Sequence, residues 1–201
     1  MKSSFTNRVY NFLDRNCMWF KSKCSTTFVY LKSAIQDVAI GRDCEFVGNI
    51  RFKISNGGYI KIGRGCKFIS CETANNIGLN HKCILSATPG ISEICKLTIG
   101  NNCGFSGTAI WCFDSITIGD NVRCGANTLI MDGDAHYEDC RTSAPKPIVI
   151  EDNVFLGANV VVKKGVTIGA NTVIGMNSVV TKSIPANCIA VGNPCKVIRN
   201  L

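Results

Sequence analysis

Residues 150–185 read IEDNVF LGANVV VKKGVT IGANTV IGMNSV VTKSIP, six groups of six. Each group opens on an aliphatic residue: Ile150, Leu156, Val162, Ile168, Ile174 and Val180. The fifth places hold Val154, Val160, Val166, Thr172, Ser178 and Ile184, all small or β-branched except the last in size. Upstream the same frame runs through IGDNVR at 118, CGANTL at 124 and IMDGDA at 130, so that His136 falls at the next first position. It recurs as IGNNCG at 99, IGRGCK at 62 and IGRDCE at 40.

A period of six fits neither a helix nor an ordinary amphipathic strand. It fits a coil in which each hexad is one short, flat strand followed by a tight corner. The first residue points inward and the small fifth residue fills the inner corner. Gly, Asn and Asp at places two to four take the corner conformations, including positive φ. Three sides of six close one triangular turn of about 18 residues, and turns stack at the interstrand spacing of roughly 4.8 Å. No hexad buries its own aliphatic residue, but a stack buries a continuous column. The expected fold is all-β, a parallel β-helix of about seven or eight coils between residues 36 and 195, with end coils protected against edge pairing.

The chain has 201 residues, enough for one domain with a small appendage. Residues 1–35 lack the hexad, and Phe5, Val9, Phe12, Leu13, Trp19 and Phe20 suit one or two short amphipathic helices. The division is therefore 1–35, a helical segment, and 36–201, the β-helix. Net charge is +8, and residues 1–35 alone hold six Lys/Arg against one Asp. The preferred reading of that segment is a solvated face that caps the first coil or packs on a neighbouring subunit. Peripheral contact with a membrane surface is the minority reading. No nucleic-acid motif is present, and neither a spanning apolar run nor a signal peptide, so a cytoplasmic setting is expected. Thirteen cysteines form no CxxC or CxxxC pair. Cys44, Cys66, Cys83, Cys103, Cys188 and Cys195 each follow an aliphatic residue by four places, as expected of reduced, buried filler.

The rhythm breaks at 70–97, at 105–117 and most clearly at 137–147, YEDCRTSAPKP, directly after His136. A loop of that length leaving a tight solenoid is more often functional than decorative. His136, one of two histidines, stands among Asp132, Asp134, Glu138 and Asp139. It either ends a coil or serves as a general base oriented by a carboxylate or carbonyl.

The runs ITIGDNVRCGANTLIMDGDAH and KPIVIEDNVFLGANVVVKKGVTIGANTVIGMNSVVTKSIPANCIAVGNPCKVIR resemble the hexapeptide-repeat acyltransferases, most of all the maltose/galactoside and polysaccharide O-acetyltransferase branch. That resemblance implies a left-handed coil and a homotrimer with sites between subunits. It implies transfer of acetyl from acetyl-CoA, without a metal, to a hydroxyl of a sugar or polysaccharide precursor. His136 matches the family's catalytic base, with Asp134 as candidate orienting group. Ser106 and Trp111 are candidates to contact the acceptor. Ala158, Met176 and Thr181 would line the pantetheine groove, and Lys182, Lys196 and Arg199 would meet phosphates or adenine. Two alternatives stay open: a xenobiotic (antibiotic) acetyltransferase on the same prism, and a non-catalytic structural solenoid. A zinc hydratase needs three histidines per metal, against the two here, His81 and His136.

Overall fold

The computed structural model of the protein describes residues 5–136 and 139–201, with side chains from residue 16 onward; the expected apolar contacts of Phe5, Val9, Phe12 and Leu13 lie outside the described side chains. The hexads fold into a three-sided prism. Its first coil is Ala39–Ile40 on side 1, Glu45–Val47 on side 2 and Arg51–Ile54 on side 3. Each later coil adds one strand per side, giving sheets of six, eight and six strands among the described residues. Neighbouring strands pair in parallel and in register, as Ile116 with Leu97 and Ile148, or Val161 with Leu129 and Val179. The exception is at the far end, where Cys188–Val191 pairs antiparallel with Lys196–Asn200.

The inward places are those the rhythm assigned. Ile150, Leu156, Val162, Ile168, Ile174 and Val180 are fully buried, and so are the fifth-place residues Val154, Val160, Thr172 and Ser178. Inside side 2 the column narrows along the axis. Phe46, Phe68 and Phe105 stack at 5.1 and 4.8 Å, then give way to Cys124, Leu156, Ile174 and Ala190. The fourth place carries the corner: Asn102, Asn121, Asn127, Asn153, Asn159, Asn171 and Asn177 all have φ between +55° and +60°. Asparagine tolerates this left-handed region, and its amide also stacks on the coil above. Asn121 donates to Asn153 at 3.1 Å, Asn153 to Asn171 at 3.0 Å, and Asn171 to Asn187 at 2.9 Å. Glycine at the second place answers close stacking: a Cβ on Gly157 would sit 2.7 Å from the Met176 nitrogen.

Two expectations are corrected. Among the described residues there are six complete coils and the start of a seventh, fewer than the seven or eight expected between residues 36 and 195, because segments at 70–83, 88–94 and 132–147 leave the coil. The N-terminal segment carries one continuous helix, α1, Phe5–Ile35, longer than the one or two short helices expected. No described helix is long and apolar enough to cross a membrane. Cysteine filler is confirmed with an addition: the thiols of Cys44, Cys66 and Cys103 donate to the carbonyls of Gly63, Gly100 and Gly119 on the next coil, at 3.1–3.2 Å.

Candidate active site

The chain leaves side 3 after Leu129–Met131 and rejoins side 1 at Ile148–Ile150. The first residue of the excursion, Asp132, turns inward and is fully buried. Its carboxylate accepts the backbone N–H groups of Phe113 at 2.7 Å, Asp114 at 2.9 Å and Ser115 at 2.8 Å. This fastens the two-residue corner of the coil below, inside the 105–117 break in the rhythm. Burial pushes the Asp132 carboxyl above the ordinary carboxylate range, against the downward pull of those three donors. Asp132 is thus part of the scaffold.

With Asp132 inside, the chain beyond it is outside. His136 is exposed, and does not occupy the inward first place that the frame assigned to it. Ile148 takes that place after the loop. The His136 carbonyl accepts Thr142 Oγ1 at 2.8 Å and the Asp139 N–H at 3.1 Å, which folds the loop back on itself. Its ring has no side-chain hydrogen bond to any described residue. Tyr137 and Glu138, which belong to the expected loop, lie outside the described residues.

Asp134 makes no hydrogen bond to the imidazole among the described residues. Its carboxylate pairs with the Lys164 ammonium, which also donates to the Ser143 carbonyl at 2.6 Å. One lysine from the next coil therefore ties the start of the loop to its end. The loop closes where Lys146 N–H donates to Asp132 O at 2.8 Å and Gly165 N–H donates to Lys146 O at 3.0 Å. Sequence reading passed over Lys164 because it treated VKKGVT only as a repeat. The available signal was a lysine pair at a corner where other hexads carry Ala-Asn or Asp-Asn.

The remaining candidates divide between two corners. Thr181 and Lys182 are exposed on the corner of His136, one coil beyond Lys163 and Lys164. Trp111, half-buried on side 3, pairs with Met131 on the strand that leads into the loop. It stacks on Phe113 at 4.6 Å and donates to Thr88 Oγ1 at 2.6 Å. Phe113 itself is buried, lying under Gly133 and Gly90. Ser106, Ala158 and Met176 lie instead on the corner between sides 2 and 3, Ala158 8% and Met176 66% exposed. Lys196 begins the antiparallel strand near that corner, pairing Val191, whereas Arg199 pairs Ile189 further along. Six residues of chain, roughly 20 Å if extended, separate Ala158 from Lys164. A single chain thus keeps the proposed coenzyme residues Ala158 and Met176 apart from His136. Among the described residues no group of three or more His, Cys, Asp or Glu is gathered to hold a metal.

Residues 147–182 match the family described as the hexapeptide repeat of succinyl-transferase. Galactoside O-acetyltransferase of Escherichia coli K12 is 46% identical over 91 residues, 43% of this chain and 45% of that protein. Its namesake from Lactococcus lactis is 40% identical over 94 residues, 47% and 44% of the two chains. The chain thus spans about half the length of the curated relatives it matches. The hexapeptide-repeat acetyltransferase VCA0836 of Vibrio cholerae, solved with acetyl-coenzyme A, is 26% identical with a TM-score of 0.51, covering 81% of this chain and 70% of that one.

The fold is a left-handed parallel β-helix of six-residue repeats, shared with solved hexapeptide-repeat acetyltransferases. Over about half of its length the chain resembles the galactoside O-acetyltransferases.

Proposed function

We propose that the protein transfers an acetyl group from acetyl-CoA to a hydroxyl of a sugar or polysaccharide precursor, directly and without a metal. The observation that carries this reading is an exposed imidazole, His136, at the point where the coil opens, on a chain that is 46% identical over 91 residues to a galactoside O-acetyltransferase.

A sugar hydroxyl is a poor nucleophile because it holds its proton. A neutral His136 ring would accept that proton as the oxygen attacks the thioester carbonyl. A backbone N–H at the corner would stabilise the tetrahedral oxyanion. The carbon–sulfur bond then breaks, and the imidazolium returns the proton to the departing thiolate. In this reading Asp134 and Lys164 act by holding the loop, and the ring is oriented by another group.

The separation of the two corners supports a homotrimer. In that assembly Ala158 and Met176 of one subunit, with Lys196 and Arg199, would meet His136, Thr181 and Lys182 of the next, and the coenzyme would lie between them. Ser106 and Trp111 remain the proposed acceptor contacts. Acetyl-CoA is an intracellular metabolite, in keeping with a cytoplasmic reaction.

The test is thiol release from acetyl-CoA in the presence of simple sugars, nucleotide sugars, lipid-linked glycans and aminoglycoside or phenicol antibiotics. A sugar is expected to drive release, and His136→Ala to abolish it while β-rich circular dichroism is retained. Near-normal turnover by that variant removes His136 from the chemistry. Release with an antibiotic alone favours the xenobiotic reading, and no release with any acceptor favours a structural solenoid.

A further inference from the structure

The helix α1 is mounted with its polar side inward. A parallel β-helix ends in a coil whose outer backbone groups have no further coil to pair with, and they must be satisfied by something else. Here hydroxyls on α1 supply the partners. Ser25 Oγ donates to Phe46 O and accepts Gly48 N–H at 3.1 Å. Thr26 Oγ1 accepts Phe46 N–H at 2.9 Å. Tyr30 Oη donates to Gly41 O at 2.7 Å and accepts Cys44 N–H at 3.2 Å, while Ser22 donates to Glu45 at 2.8 Å. Ser22, Val29 and Ser33 are buried along this seam.

The consequence lies on the opposite face. Phe20, Cys24, Phe28, Leu31 and Ile35 follow one another at spacings of four, four, three and four, a single stripe on a 3.6-residue helix. The four large ones are between 53 and 86% exposed. In an ordinary surface helix such a stripe is the buried one. Lys21 and Lys23 flank it, both exposed and without an ion pair among the described residues. The sequence has no Asp or Glu between Asp14 and Asp37, and adds Lys2, Arg8 and Arg15 upstream.

We propose that α1 lies in the plane of an anionic membrane surface, inserting the Phe20–Phe28–Leu31–Ile35 stripe among the acyl chains while Lys21 and Lys23 meet lipid phosphates, and so tethers the prism to the bilayer. The charge pattern selects this occupant. Pairing of the stripe with the same stripe of a second copy would bring lysines against lysines, with no carboxylate between Asp14 and Asp37 to answer them. Spanning is ruled out for this helix by its apolar content, so the contact is interfacial. The structure thereby favours the reading that the sequence alone placed second. The proposal does not depend on the transfer chemistry.

The full chain is floated with vesicles of phosphatidylcholine alone or mixed with phosphatidylglycerol. Binding to the mixed vesicles is expected to be stronger by about tenfold or more, and to weaken with salt. The Phe20→Ser/Leu31→Ser double variant is expected to lose binding by about tenfold or more with unchanged circular dichroism, since both side chains are exposed and neither belongs to the core. Lys21→Gln/Lys23→Gln, which gives up only the approach of Lys23 to the Trp19 ring at 5.9 Å, should reduce binding to the mixed vesicles only. Failure of the parent to bind mixed vesicles overturns the proposal, and so does equal binding to both lipids. It is also overturned if the serine variant binds like the parent, or if its solution mass drops while the parent ignores vesicles, which would make the stripe an interface between copies.

Discussion

Lys164 holds Asp134 and Ser143 together from the coil above, so that one ammonium bridges the two stems of the loop bearing His136. The lysine side chain is 14% exposed, and two acceptors in a partly dry setting give the clamp more weight than a surface ion pair. Lys164→Met keeps the aliphatic stem and removes both bonds. Trypsin is expected to cut after the exposed Arg141 faster in this variant, with little change in melting temperature. If His136 performs the proposed step, turnover should fall about ten- to a hundredfold, as expected when a catalytic group loses position and not identity. Unchanged proteolysis would mean that the loop stands without the clamp.

Asp132 makes a prediction about stability and none about chemistry. Removing its carboxylate leaves three backbone N–H groups of Phe113, Asp114 and Ser115 without their acceptor. Asp132→Ala should cost roughly 3 kcal/mol or more in denaturant unfolding. Asp132→Asn keeps one oxygen but turns an NH₂ toward a donor, and should cost about 1–3 kcal/mol. A neutral result for both would show that the corner below satisfies itself in another way.

What the sequence made legible was whatever repeats. Ile150 through Val180 could be assigned inward because each sees the same neighbours one coil above and below, so one rule serves six places. The asparagine corners were readable for the same reason. Contacts that occur once were not. The turn of Asp132 into the core depends on three N–H groups some eighteen residues earlier in the chain, and it decides that His136 faces out. Lys164 meets Asp134 across a coil, at a separation no local pattern marks. The orientation of α1 was likewise hidden: its apolar stripe is visible in sequence, but the edge groups that draw its hydroxyls inward belong to Phe46, Gly48 and Gly41.

Docking of α1 should respond to acid through Glu45. Burial alone would raise its carboxyl, but Lys67 at 2.9 Å and Ser22 at 2.8 Å hold it below its ordinary 4.5. A depressed folded value means that the contribution is present above the ordinary value and lost as pH falls through the folded one. Trp19 lies beside this contact, in the cleft between α1 and the prism that Glu45 and Lys67 also line. Its fluorescence is therefore expected to shift only below about pH 4.5. Glu45→Gln should remove that transition while the prism unfolds as before. A transition that persists in the variant would assign it to another carboxylate.

The cysteines offer the most direct test of the packing. Cys17, Cys24 and Cys140 are exposed and Cys71 half-buried, while the other nine of thirteen are buried. Hydrogen bonding and burial push Cys44 up, and bonding within the same thiol column, relayed through Cys103, pushes Cys66 up to about 11. A thiol held protonated and away from solvent reacts slowly with a disulfide reagent, since the thiolate is the nucleophile. In native protein an aromatic disulfide reagent is therefore expected to consume three thiols quickly and a fourth more slowly, with the rest reacting only as the prism unfolds. Cys103→Ser should test the ladder itself. Serine can still donate to Gly119 O, so the cost is expected to be about 1 kcal/mol, whereas Cys103→Ala loses the donor, leaves that carbonyl unpaired and should cost about 1–3 kcal/mol. If alanine is tolerated better than serine, the thiols act as filler alone and the bonds to the next coil contribute nothing.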